Sequence, residues 1–96
     1  MKHNVKFKQW NCEVELGEYP NGRKAIQLFD KKTGDYVLVA SINIPDEELS
    51  VEEIIIKDYS ENSGIMAVLI NAKIISYPER FTLNALSAPI CKLLIQ

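Results

Sequence analysis

Apolar and polar positions alternate along the first half of the chain, and this alternation predicts a series of β-strands. Residues 5–16 show a period of two with a phase slip at residues 9–11, which indicates a bulge or a tight turn. A second alternating run covers residues 24–29. Residues 36–44 are rich in β-branched and aromatic side chains and predict a central strand, which Pro45 ends because proline cannot donate to a ladder.

Turn-forming residues separate these runs. Tyr19-Pro20-Asn21-Gly22 has proline in second place with Asn-Gly after it, which predicts a tight turn. Residues 30–35 form a polar hairpin loop, in which we expect Gly34 to adopt a left-handed backbone conformation.

The second half of the chain predicts one helix between further strands. Ile65, Val68, Leu69 and Ala72 fall at positions i, i+3, i+4 and i+7, which predicts a helix from about Glu61 to Ala72. The preceding Asp58-Tyr59-Ser60 offers helix N-cap chemistry. Before the helix, residues 46–53 can hold a short helical turn, and residues 54–56 are a β-branched run that predicts a fourth strand.

The C-terminal third predicts two more strands, at residues 74–77 and 88–95, around a loop at residues 84–87. The resulting order is β-β-β-β-α-β-β. We expect an α+β fold with a mostly antiparallel sheet of five to six strands and the helix packed on one face. Ninety-six residues predict a single domain over residues 1–96.

Composition and charge narrow the functional classes. The net charge of −2 gives little drive toward nucleic acid. Its distribution is uneven, because residues 1–32 carry +3, residues 33–60 carry −6 and residues 61–96 carry +1. The chain has no apolar run of membrane-spanning length and begins with a polar segment, so we expect a cytoplasmic protein without membrane contact.

The residues that usually carry catalysis are scarce or scattered. His3 is the only histidine and lies at the N-terminus, where we expect a loose, exposed residue. Cys12 and Cys91 are far apart in the sequence, and we expect both to be reduced and buried. The four glycines form no phosphate-binding loop. We therefore expect no catalytic residues, no cofactor and no metal site.

Carboxylates are the remaining candidates for acid–base chemistry. Glu52 and Glu53 are adjacent, so on a strand they point to opposite faces. Asp58 and Glu61 stand at the predicted helix start, where the free N–H groups stabilise carboxylates. We favour the capping role and keep an enzyme that uses Asp58 or Glu61 as a minor alternative.

The acidic segment 46–53 is the most distinctive charged feature. A solvated loop is the simplest interpretation. The functional interpretation is a docking surface for a protein, such as a basic nucleic-acid-binding protein of the host. The residues predicted to bind the partner are Asp46, Glu47, Glu48, Glu52 and Glu53, joined by Asp58 and Glu61 at the helix start.

Two further interpretations concern other surfaces. A single-strand nucleic-acid binder would stack bases on aromatic side chains beside basic ones, although the weak charge argues against it. The side chains concerned are Trp10, Tyr19, Tyr36, Tyr59 and Tyr77, with Lys6, Lys8, Arg23 and Lys24. A homodimer can form through an edge strand, for which residues 88–95 are the candidate.

Two stretches carry a family resemblance. Residues 19–28, followed by Ile42-Asn43-Ile44-Pro45, resemble small domain-of-unknown-function proteins carried on bacterial plasmids, conjugative elements and phages. Residues 57–64 are similar to another segment of these proteins. The resemblance implies an accessory protein of a mobile genetic element. In that setting we expect a non-enzymatic inhibitor of a host defence nuclease, of the anti-CRISPR or anti-restriction type.

Overall fold

Four strands from the N-terminal half form one antiparallel sheet in the computed structural model, which describes residues 3–96. They are β1 (His3–Phe7), β2 (Trp10–Glu18), β3 (Lys24–Asp30) and β4 (Tyr36–Val39), and their sequence order is also their spatial order. Lys2, which contributes to the charge of +3 over residues 1–32, lies outside the described residues.

The phase slip at residues 9–11 is resolved as a tight turn between two strands. Phe7 pairs with Trp10 across this turn, and Lys8 enters it with a φ of 55°. The expectation of a loose His3 is wrong, because His3 is the first residue of β1 and pairs with Val14. The β1 pairing continues to that position since Val5 and Phe7 are buried and hold the strand on the core.

The two predicted turns are confirmed. The N–H of Gly22 donates to the carbonyl oxygen of Tyr19 at 2.8 Å, and Gly22 has a φ of 86° that a side chain would strain. In the second loop the Asp30 carboxylate accepts from the N–H groups of Lys32 and Thr33, and Gly34 has a φ of 79°.

The third predicted strand is shorter than expected and lies at a sheet edge. The pairing register of β3 with β4 shifts between Leu28 and Phe29. Beyond β4, the N–H of Ala40 donates to the carbonyl oxygen of Ile26 in β3, and the carbonyl oxygen of Ala40 accepts from the N–H of Lys57. The next residue, Ser41, forms an antiparallel bridge with Ile56. The chain therefore leaves the first sheet here and passes to the second.

The second sheet has three antiparallel strands: β5 (Glu53–Ile55), β6 (Arg80–Phe81) and β7 (Pro89–Lys92), in the order β5-β7-β6. The α+β class with antiparallel pairing is confirmed, but the strands divide into sheets of four and three rather than one sheet. Pro89 opens β7 as expected. Because β7 is the central strand, the segment at residues 88–95 does not provide the free edge predicted for a dimer.

The predicted helix is divided in two. Ser60–Asn62 form a 3₁₀ turn, and the α-helix α1 covers Ile65–Asn71. Gly64 separates them with a φ of 98°. Residues 46–52 contain turns and a bend instead of the expected helical turn, and Glu53 begins β5. The segment at residues 74–77, predicted as a strand, pairs only through a bridge from Ile75 to Leu93.

Helix α1 contacts β1, and its buried face closes the main core. Ile65 and Leu69 are fully buried there against residues of the first sheet such as Ile26. A smaller buried cluster is formed by Ile55, Ala88 and Ile90, and the partly buried residues packed on it are Ile42, Ile44 and Leu49. The acidic segment is thus anchored on this second cluster by Leu49.

Candidate protein-binding surface

The acidic segment 46–53 connects the two sheets and lies beside the loop that joins β6 to β7. Two of its carboxylates turn inward. Glu47 is only 8% exposed, and its Oε1 accepts the N–H of Leu83 at 3.0 Å. The Oε1 of Glu53 accepts from the N–H of Ser50 and from the Arg80 guanidinium, both at 2.9 Å. The hydrogen bond from the Ser50 N–H is the main cause that lowers the pKa of Glu53 below its usual range. The hydrogen bond from Arg80 lowers it further.

Two arginines hold the backbone of the same segment. Arg23 donates to the carbonyl oxygens of Ile44 and Glu47, and Arg80 donates to the carbonyl oxygen of Glu48 at 2.7 Å. A second nitrogen of Arg80 lies 3.7 Å from the Glu47 carboxylate. Planar guanidinium groups suit such multiple contacts. Arg80 of β6 therefore contacts three acidic residues, Glu47, Glu48 and Glu53, a role that sequence reasoning missed.

Three carboxylates of the segment remain exposed: Asp46, Glu48 and Glu52. A groove of about 830 Å³ lies between the segment and the β6–β7 loop, and it is lined by Ile44, Asp46, Glu47, Glu48, Arg80, Leu83 and Asn84. At its rim the Leu83 side chain is 93% exposed. Carboxylates and a large apolar side chain thus share one groove.

Other exposed apolar side chains accompany Leu83. In the same loop and strand Phe81 is 52% and Leu86 is 48% exposed, and Val51 in the acidic segment is 98% exposed. Single exposed apolar residues are common, but neighbouring ones bordered by charge mark interaction sites. We call the groove, whose lining includes Asp46, Glu48 and Leu83, the acidic–apolar surface.

The other two predicted site residues lie elsewhere. Asp58 accepts through Oδ1 from the N–H groups of Gly64 and Met66, both at 3.0 Å, and so caps the start of α1 from outside the helix, whose N-cap residue is Gly64 rather than a residue of 58–60. Glu61 pairs with the ammonium group of Lys57 at 2.8 Å, and this contact lowers the pKa of Glu61. The hydrogen-bond partners of Asp58 and Glu61 do not belong to the acidic segment, so the seven predicted residues form two groups.

The aromatic and basic residues considered for nucleic acid are also divided. Trp10 is partly buried and packs against the main core. Tyr19 and Tyr36 line a different groove beside β4. Arg23 is bound to backbone carbonyls, and Lys24 lies 3.5 Å from Glu18. The residues proposed for base stacking are therefore not gathered on a common platform.

Both cysteines are free and buried, as the sequence predicts. Burial raises the pKa of Cys12, with a further contribution from the Asp30 carboxylate. Burial likewise raises the pKa of Cys91 to about 11. Because the thiolate is the reactive form, both side chains act as small apolar groups at neutral pH.

No family model, curated protein or solved structure matches this chain. The resemblance drawn from residues 19–28 therefore stays a prediction. Within the described part of the chain, no helix combines the length and the apolar character needed to cross a membrane.

Proposed function

We propose that this protein is a non-enzymatic protein-binding module that docks through the acidic–apolar surface. The observation that carries the proposal is Leu83, whose side chain is 93% exposed while its N–H is held by the buried Glu47 carboxylate. An apolar side chain presented on a fixed backbone loses little conformational freedom on binding. The neighbouring Asp46 and Glu48 border the same groove and supply negative charge.

The partner has the complementary chemistry: a basic surface with an apolar contact at its centre. Exposed carboxylates accelerate association with such a surface and select against acidic partners. A basic nucleic-acid-binding protein fits this description. With the family resemblance, this supports a cytoplasmic accessory protein of a mobile genetic element that occupies the basic groove of a host defence nuclease, of the CRISPR or restriction type.

The test begins with capture of a partner from a bacterial lysate and its identification by mass spectrometry. The binding constant is then measured between the two purified proteins. We expect Leu83→Ser and the charge reversal of Asp46 and Glu48 each to weaken binding by about tenfold or more, as anchor residues do. Raising the ionic strength should weaken the wild-type complex through slower association.

Matched controls separate this surface from general effects. Leu94→Ser removes another exposed leucine, and Asp35→Lys reverses a charge in the polar loop at residues 30–35. Glu47 and Glu53 are left unchanged, because they hold the fold. Binding that survives both surface variants, or that the control variants weaken equally, would refute the proposal.

A further inference from the structure

A second groove, of about 530 Å³, lies beside β4 and shares no lining residue with the acidic–apolar surface. Its polar lining consists of Tyr19, Ser41, Asn43, Lys57, Glu61 and Asn62, and Tyr36 stands at its side. We call it the β4 groove. The function proposed above does not use it, so its role is argued independently.

Asn62 supplies an unused hydrogen-bond acceptor. This side chain is only 1% exposed, and its Nδ2 donates to the carbonyl oxygen of Val39 at 2.7 Å, which fixes the orientation of the amide. The Oδ1 atom of Asn62 is the one buried side-chain oxygen or nitrogen without a partner among residues 3–96. Buried polar atoms are nearly always hydrogen-bonded, so this oxygen calls for a donor.

Tyr19 and Ser41 supply an unused donor. Their hydroxyl oxygens are 2.9 Å apart, and the Ser41 oxygen also accepts the N–H of Ile26 at 3.0 Å. The two hydroxyl groups carry two hydrogens, and one of them lies in their mutual bond. The other hydrogen can be donated to a ligand, whichever hydroxyl holds it.

The remaining lining indicates a planar and uncharged ligand. The Tyr36 side chain is 60% exposed and offers a ring face or edge for packing. Lys57 and Glu61 are paired at 2.8 Å, so among the groove's lining residues the single cation is already neutralised. A phosphate group would find no free positive charge there, which disfavours nucleotides.

We propose that the β4 groove binds a neutral amide group, such as the carboxamide or peptide group of a polypeptide. The amide N–H donates to Asn62 Oδ1, its carbonyl oxygen accepts from the Tyr19–Ser41 hydroxyl pair, and its plane packs on Tyr36. Asn62 is only 1% exposed in the free protein, so the amide reaches its Oδ1 only when the groove opens locally.

The test is an NMR titration of the ¹⁵N-labelled protein with N-acetylglycine methylamide, which carries two peptide groups and no charge. We expect saturable shifts of the Asn62 side-chain amide and of backbone amides in residues 36–43 and 57–62. Tyr36→Ser should weaken this binding by about three- to tenfold, whereas Tyr36→Phe retains it. Tyr77→Ser, which removes another strongly exposed tyrosine outside the groove, should leave it unchanged.

Uridine and uridine monophosphate form the comparison arms. The proposal is supported if the amide produces saturable shifts and binds with a lower dissociation constant than either uridine compound. Three results would overturn it: an absence of saturable shifts with the amide, binding that Tyr36→Ser does not weaken, or shifts produced only by the uridine compounds. Because Tyr36 is exposed, its variants should fold, and the spectrum of each free variant checks this.

Discussion

Arg80 offers a direct test of how the acidic segment is held. Arg80→Met keeps the apolar stem and removes the guanidinium, which leaves the carboxylates of Glu47 and Glu53 without their cation. The side chains of these two glutamates are only 7% and 11% exposed, so water compensates them poorly. The same change removes the donor to the Glu48 carbonyl oxygen.

The magnitude follows from burial. Removing one member of a fully buried ion pair costs about 3–5 kcal/mol, and a hydrogen bond to a charged group is worth about 1.5–3 kcal/mol. The Arg80 side chain is 42% exposed, so solvent screens part of the interaction and we expect about 2 kcal/mol. Lys92→Met breaks the exposed pair with Glu79 and should cost less than about 1 kcal/mol.

Urea unfolding followed by circular dichroism measures both variants. With a slope of about 1 kcal/mol per molar urea, Arg80→Met should lower the midpoint at neutral pH by roughly 2 M. The pH dependence provides a second check. Because the pKa of Glu53 is lowered in the folded state, its stabilisation is present above about 4.5, the ordinary carboxyl value, and is lost as pH falls through the lower folded value.

The wild-type protein should therefore lose more stability in acid than Arg80→Met, since the variant already lacks the arginine contribution. The difference in unfolding free energy between them should narrow as the pH falls below about 4.5 and Glu53 becomes protonated in the folded wild-type protein. If Arg80→Met costs no more than Lys92→Met at neutral pH, or if the difference is as large in acid, the electrostatic explanation is refuted.

Three further predictions test the capping, core and cysteine assignments. Asp58→Ala should lower the free energy of unfolding by about 1–2 kcal/mol in urea, while Asp35→Ala changes it by less than about 0.5 kcal/mol; equal effects would contradict the capping role. Leu69→Ala at a fully buried position should lower the free energy of unfolding by about 2–5 kcal/mol, whereas Leu83→Ala should leave it almost unchanged. A comparable decrease in both variants would show that Leu83 is not exposed. Cys12 and Cys91 should resist a thiol reagent at mildly alkaline pH, because burial raises the pKa of both thiols. Both should react once guanidinium unfolds the chain. If the folded protein reacts as fast as the unfolded chain, the burial of the two thiols is contradicted.

The local structure was largely readable from the sequence, because short-range chemistry decides it. Alternation located the first strands, and proline, asparagine and glycine located the turns at residues 19–22 and 30–35. The Asp58 cap was predicted too, although its partners are Gly64 and Met66 and the helix is shorter than expected. The left-handed Gly64 divides the helical segment, whereas the spacing of apolar residues predicted one continuous helix.

The charged surface shows where sequence reasoning ends. Composition identified the acidic segment, but not which carboxylates face inward, since that depends on Arg23 and Arg80, which are distant in sequence. The exposure of Leu83 was equally hidden, because the sequence of a loop does not distinguish a buried apolar side chain from an exposed one. The division into two sheets arose at Ala40, where one backbone group bonds to β3 and the other to Lys57. Sequence determined the first strands, the turns at residues 19–22 and 30–35, the presence of a helical segment and the location of negative charge, all consequences of neighbouring residues. Tertiary structure alone decided the sheet boundary, the inward glutamates and the unpaired Asn62 oxygen, because each depends on contacts between segments that only folding brings together.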